Sequence, residues 1–137
     1  MILVDTSVWI DYLRANKTPS IIALDRALSK RTPVAITEWI YLEILQGARS
    51  QAAFDKLRHY FSTQPILKPT QGLNSFASTA DLYRRCREQG VTPRSAGDCL
   101  IAVVAIEHQI PLLHSDRDFE LIATVEPRLL LVKLATS

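Results

Sequence analysis

Short apolar runs alternate along the chain with stretches whose apolar positions recur at helical spacing. Ile2, Leu3 and Val4 form a wholly apolar run that ends at Asp5-Thr6-Ser7, the pattern of a buried strand delivering a carboxylate to a helix start. A helix over residues 8–13 follows and is broken at 16–19. Ser20 can cap a second helix to about residue 28, in which Ile21, Leu24 and Leu28 share a face. Residues 33–36 predict a second strand, and Thr37 opens a helix over 38–46 that stops near Gly47. A helix over 51–61, a strand over 65–67 and a long helix over 73–88 closed by Gly90 come next. Ser95 begins another helix that ends before Pro111. Leu112-Leu113, followed by His114-Ser115-Asp116, repeats the opening theme of strand and then carboxylate. A short helix over 119–123 and a final strand over 129–132 complete the pattern.

Alternating short strands and helices imply βα units and a parallel sheet covered on both faces. No repeat, low-complexity tract or long linker divides the 137 residues, which read as one domain, 1–137. In such sheets ligands bind beyond the carboxyl ends of the strands, near a reversal of strand order. Asp5 and Asp116 both fall at that edge.

Composition narrows the picture modestly. Apolar residues make up 47% and charged residues 22% of the chain, an ordinary globular balance. The start has no basic region, and its apolar run stops after four residues, so no signal peptide is expected. The apolar stretch around 101–106 is too short to span a bilayer. Cys86 and Cys99 lack metal-site or disulfide-framework spacing, and a reduced, cytoplasmic setting is the simpler expectation. A net charge of +2 is weak evidence for a nucleic-acid partner, and the basic clusters at 30–31 and 84–87 suit solvated helix surface as well.

The chemistry lies in the acids. Asp5 is placed to cap a helix, or to ligate a metal with Thr6 or Ser7 orienting it. Glu43 stands alone in WIYLEILQGA, where apolar neighbours cover most of the helix circumference; a carboxylate there needs an arginine or a cation to offset its burial. Asp98 completes Ser95-Ala96-Gly97-Asp98, a capping-box-like start ahead of a buried helix. Asp116 and Asp118 sit in a turn, with Asp118 reading as a helix-start or supporting group, whereas Asp11 suits a surface pair with Arg14. At one sheet edge, Asp5, Glu43, Asp98 and Asp116 would raise one another's pKa values unless a hard divalent cation, Mg²⁺ or Mn²⁺, relieved the repulsion. Such a cage serves phosphodiester chemistry, where cations neutralise phosphate and activate water.

LVDTSVWIDYLR at the start, E-x₃-G from Glu43 to Gly47, GDCLIAVVA around Asp98 and LLHSDRDF near the end resemble the PIN domain, and within it the VapC-type toxins of bacterial toxin–antitoxin pairs. The motifs keep the family's order and span nearly the whole chain. The resemblance implies a three-layer α/β/α sandwich with a central parallel sheet and Mg²⁺- or Mn²⁺-dependent cleavage of RNA. It also implies a homodimer and neutralisation by a cognate antitoxin in a heterotetramer or larger assembly. On this resemblance Asp5, Glu43, Asp98 and Asp116 match an acidic quartet, and Ser7 matches the hydroxyl residue assisting the first acid. His114 departs from the pattern, which more often has Thr, and a strand-end structural role is expected for it.

If the substrate is RNA, Arg14, Lys17, Arg94 and Arg117 flank the motifs and are the expected phosphate contacts. Trp9, Tyr12, Trp39 and Tyr41 on the early helices are candidates for an antitoxin groove, with core packing as the competing reading. Two rivals remain open. A receiver or aspartyl-phosphatase domain also places Asp after its first strand, but wants an acidic pair or D-x-D where this chain has Asp5-Thr6-Ser7. The other is a non-catalytic interaction module with a PIN-like fold.

Overall fold

The computed structural model describes residues 1–134. Strands β1 (Ile2–Val4), β2 (Val34–Thr37), β3 (Ile66–Leu67) and β4 (Leu112–Leu113) form a parallel sheet in the order β3-β2-β1-β4. Helices α1 (Thr6–Leu13) and α2 (Pro19–Ser29) connect β1 to β2, and α3 (Glu38–Gln46) and α4 (Gln51–Ser62) connect β2 to β3. Helices α5 (Leu73–Glu88) and α6 (Ala96–His108) lead back to β4, and α7 (Arg117–Val125) follows it. The first two connections step outward from β1, while the third returns past β1 to its other side. Right-handed crossovers therefore put the two sets of helices on opposite faces, which is the three-layer α/β/α arrangement.

Strands β1, β2 and β4 carry apolar runs buried on both faces: Leu3, Val4, Ala35, Ile36, Leu112 and Leu113 sit in the centre of the core. Trp9, Phe61 and Phe119 fill the space between sheet and helices. The ends of β1, β2 and β4 pass the chain to a helix through a capping side chain, whereas α5 after β3 begins at Gly72 without one. Asp5, Thr37 and Asp116 accept the backbone N–H of Ser7, Ile40 and Asp118, so the carboxyl edge of the sheet is lined with helix N-termini. Gly90, at φ +75°, takes the left-handed position just beyond α5 that ends the helix, as expected from the sequence.

Several boundaries differ from the sequence pattern. The second helix is capped by Thr18, whose hydroxyl accepts from Ile21 N–H, with Pro19 inside the first turn; Ser20 is instead buried and donates to the His114 carbonyl. Helix α7 starts at Arg117 and extends to Val125 because Asp116 caps it. The expected strand over 129–132 reduces to a single parallel bridge, Leu112 with Leu131, since β4 offers two residues and β1 already takes its other edge. Ser95 stands at the N-cap of α6 without a side-chain cap bond, so the capping box read from the sequence does not form. Asp11 accepts from Asn16 rather than pairing with Arg14.

Candidate active site

β1 and β4 are neighbours although the chain leaves β1 in the opposite direction, so the strand order reverses between them. A cleft of about 280 Å³ opens at that point, lined by Asp5, Glu43, Asp98 and Asp116 together with Thr6, Ser7 and Arg94. Four acids far apart in sequence thus meet at one edge of the sheet.

Each is held differently. Asp5, only 4% exposed, has one oxygen fixed by the backbone N–H (3.0 Å) and hydroxyl (2.6 Å) of Ser7. The Ser7 hydroxyl also accepts the Ser115 N–H at 3.0 Å, which ties the β1–α1 junction to the loop leaving β4. The Thr6 hydroxyl does not serve Asp5; it donates to Glu43 at 2.8 Å. Glu43 lies half-buried at the mouth of the cleft rather than in the core, and its neighbour Leu42 is exposed. Asp116 accepts from Asp118 N–H at 2.9 Å and from the Arg94 guanidinium at 2.6 Å. Asp98 receives no hydrogen bond to its carboxylate among the described residues.

The surroundings of Asp5, Glu43 and Asp98 disfavour negative charge. Burial pushes the Asp5 carboxyl upward against the lowering effect of Ser7. Burial likewise raises Glu43 despite its bond from Thr6. Asp98 is pushed up to about 7, first by burial and then by the charges of Asp5, Asp116, Glu43 and Asp118.

The donor set fits a hard divalent cation. Every candidate ligand is a carboxylate, the preferred chemistry of Mg²⁺ and Mn²⁺. One oxygen each from Asp98, Asp116 and Asp118 lie within 4.8 Å of one another, near the span of about 4 Å across an octahedral Mg²⁺ shell. The cluster already draws positive charge: Arg94, itself highly exposed, reaches in to pair with Asp116 and, at 3.6 Å, with Asp118. Asp5 and Glu43 share the cleft but lie outside that tightest group.

This architecture has known counterparts. Residues 2–125 match the PIN domain family. The chain belongs to the PIN-domain family. It is 37% identical over 126 residues to ribonuclease VapC11 of Mycobacterium tuberculosis, covering 91% of this chain and 93% of the relative. Ribonuclease VapC51 of the same organism is 29% identical, covering 90% and 85%. Among solved structures, VapBC2 from Rickettsia felis, bound to a promoter DNA fragment, superposes with a TM-score of 0.73 at 18% identity, covering 98% of this chain and all of the other. VapBC-1 from nontypeable Haemophilus influenzae gives 0.70 at 20% identity, covering 96% and 97%. These likenesses support the PIN fold.

The remaining sequence candidates disperse around this PIN domain. Arg14, Lys17 and Arg117 are exposed and enter no ion pair among the described residues, whereas Arg94 is committed to the acids. The basic cluster at 84–87 is largely neutralised: Arg84 and Arg85 pair with Asp81, with further bonds to Glu88 and Glu126. Arg87 packs over the Tyr83 ring at 4.9 Å. Trp9 is fully buried and cannot line a surface groove; Trp39 and Tyr41 are partly buried against the core, and Tyr12 is exposed. His114 is buried against Phe119, and its Nδ1 accepts the Asp116 N–H at 3.3 Å, shaping the turn that presents that acid.

Asp118, expected as a helix-start or supporting group, stands in the tightest acid cluster with Asp98 and Asp116, and two further features were not read from the sequence. The Arg94–Asp116 pair joins residues 22 apart and leaves no periodic trace. The other is Gly97: a Cβ there would stand 2.1 Å from Nε1 of Trp39, so the indole lies flat against the first turn of α6. That contact couples α3, which carries Glu43, to α6, which carries Asp98. Glycine immediately before Asp98 was the available signal.

Proposed function

We propose that this chain is a divalent-cation-dependent endoribonuclease acting as the toxin of a toxin–antitoxin pair. The observation that carries the reading is the meeting of Asp98, Asp116 and Asp118 within 4.8 Å, in the cleft that Asp5 and Glu43 also line. The ribonuclease names of its relatives give RNA as the substrate class.

Asp98, Asp116 and Asp118 would hold Mg²⁺ or Mn²⁺, with Asp5 and Glu43 completing the acidic shell. When bound, such a cation neutralises phosphate charge and lowers the pKa of water. The protein's own groups supply placement. Ser7 fixes Asp5 and the β4 loop together, Thr6 aims Glu43, and the buried helix behind Asp98 keeps that carboxylate from retreating. Arg94, highly exposed and paired with Asp116 at the mouth of the cleft, would be placed to meet a substrate phosphate if a bound cation took over that carboxylate.

Incubating the purified protein with total RNA tests the reading. Cleavage is expected with Mg²⁺ or Mn²⁺, and none with EDTA. Asp98→Asn keeps the shape and removes the charge; its rate should fall by at least the roughly 100-fold that losing an outer-shell partner of a metal site can cost. Cleavage by Asp98→Asn at the wild-type rate and metal dependence would refute the assignment.

One similar solved structure, with a TM-score of 0.65, is a toxin–antitoxin complex from Klebsiella pneumoniae, and VapBC2 from Rickettsia felis is bound to promoter DNA. We extend that assembly to this chain: a homodimer in a heterotetramer or larger complex with a cognate antitoxin that silences the cleft. Co-expression with the neighbouring reading frame, followed by light scattering and the cleavage assay, checks it.

A further inference from the structure

The loop that leaves β4 carries Asp116 beyond the last strand residue. The final bond from the sheet runs from Asp5 N–H to the Leu113 carbonyl at 2.9 Å. The next three residues are held by side chains instead. Ser20, from the first turn of α2, donates its hydroxyl to the His114 carbonyl at 2.7 Å. Ser7 accepts the Ser115 N–H at 3.0 Å, and the His114 ring accepts the Asp116 N–H through Nδ1 at 3.3 Å. Ser20 is 2% exposed and His114 8%, and the imidazole packs against Phe119 with 5.6 Å between ring centroids. Neither side chain lines the acidic cleft.

Restraint matters at this position because of the charges it opposes. Asp98, Asp116 and Asp118 bring one oxygen each within 4.8 Å of one another, and like charges at that range push apart. Arg94 offsets part of the repulsion from the solvent side. A loop free to move would relieve the rest by swinging Asp116 toward water. Productive ligand geometry tolerates displacements of only about 0.5 Å, so the bonds behind a ligand decide whether it is in place. The His114 bond runs from a side chain to the N–H two residues on, the arrangement that Asn or Asp makes in an Asx turn. It requires an unprotonated Nδ1, which leaves the proton of the neutral ring on Nε2. We propose that Ser20 and His114 are positioning residues that clamp the 114–116 loop, one by its first carbonyl and the other by its last N–H, so that Asp116 faces Asp98 and Asp118 before a cation arrives. Helix α2 gives no acid to the cleft, yet through Ser20 it fixes the loop that carries one. The proposal rests on the reading of Asp116 as a cation ligand and deepens it.

Mn²⁺ affinity and urea unfolding, measured side by side on the whole chain, separate positioning from plain support of the fold. Ser20→Ala removes the bond to the loop carbonyl. Ser75→Ala is the matched control: Ser75 is 0% exposed and also donates its hydroxyl at 2.7 Å, but to Glu107 near the far end of α6 from Asp98. Both variants should lower the urea midpoint. Only Ser20→Ala should weaken Mn²⁺ binding, by the roughly tenfold or more that losing an outer-shell partner of a metal site costs. His114→Phe keeps an aromatic ring beside Phe119 and removes the acceptor, and a loss of the same order is expected. His114→Asn restores an acceptor for the N–H two residues on and should recover most of that affinity. Two readouts need no metal. Nitrogen NMR of the wild-type imidazole should show Nε2 protonated and Nδ1 bare. Amide exchange at Asp116 should be slow in wild type and His114→Asn, and fast in Ser20→Ala and His114→Phe. Unchanged Mn²⁺ affinity in Ser20→Ala and His114→Phe, an equal loss in Ser75→Ala, or a protonated Nδ1 in the neutral ring would overturn the proposal. Slow Asp116 exchange in every variant would overturn it too, even if a variant such as His114→Phe proved too unstable for the titration. A wild type that binds no Mn²⁺ but keeps the expected exchange pattern would instead sink the cation reading and leave the clamp standing.

Discussion

Asp98 is the residue on which the site turns. Its carboxylate is raised to about 7 by burial and four neighbouring acids, and no hydrogen bond among the described residues compensates it. Its position is set one residue earlier. Gly97 lets the Trp39 indole lie where any Cβ would intrude, 2.1 Å from Nε1. That nitrogen is buried without a partner, so the ring contributes shape rather than a hydrogen bond. Gly97→Ala should therefore act as local overpacking, costing about 1–3 kcal/mol in urea denaturation. Trp39→Phe, which opens space, should reduce the cost of Gly97→Ala when the two are combined. Equal costs in both backgrounds would show that the indole is not the obstacle. RNA cleavage by Gly97→Ala should fall further than stability does, since Asp98 and Glu43 lie on the two helices this contact spaces.

At the scale of elements, the junctions matter more than the strands. Ser7 links β1–α1 to the β4 exit through its bonds to Asp5 and Ser115. Ser7→Ala removes both hydroxyl bonds while leaving the Ser7 N–H cap on Asp5 intact. A loss of about 1–3 kcal/mol is expected, measured by thermal or urea unfolding, together with a larger loss of cleavage as Asp5 and Asp116 drift apart. Undiminished cleavage by this variant would remove Ser7 from the positioning network. The βα alternation was legible in the sequence because short apolar runs lead into capping residues, as at Val4-Asp5 and Ile36-Thr37. Less legible were starts decided by competing caps: Thr18 won over Ser20 because Pro19 suits a first helical turn and Ser20 found a buried partner across the sheet in His114. The strand expected over 129–132 failed for want of a longer β4 to pair with.

Across the whole molecule, the site opposes stability and the opposition depends on pH. Asp98 has a folded pKa of about 7 against an ordinary 3.8, so the folded state binds the extra proton in between. Stability from this group is full below 3.8 and is lost as pH rises to about 7. Glu126 acts on the acid side: bonds from Arg128 and Arg85 lower it to about 2, so its contribution is present above 4.5 and is lost as pH falls toward 2. The Tm of metal-free protein should decline from about pH 5 to neutrality, and Asp98→Asn should flatten that decline. Saturating Mg²⁺ should raise the Tm more above pH 7 than below it, because a cation binds the ionised form. A metal-free Tm that climbs steadily to neutrality would contradict the assignment of Asp98. The acids were legible in the sequence because each stood where an apolar surround or a strand end made it conspicuous. Their meeting at one sheet edge was expected as well; the contacts that hold them were not, because the Arg94–Asp116 and Thr6–Glu43 pairs join residues 22 and 37 positions apart. Asp118 resembled an ordinary helix-start acid until α6 brought Asp98 beside it.

Direct titration of Mn²⁺ into the purified protein, followed by electron paramagnetic resonance of the free ion, bears most immediately on a cation held by these carboxylates. Wild type should deplete the free signal with saturable stoichiometry, and Asp98→Asn and Asp116→Asn should each weaken that binding sharply while remaining folded. Equal Mn²⁺ binding by the wild type and both variants, or none by the wild type at neutral pH, would contradict it.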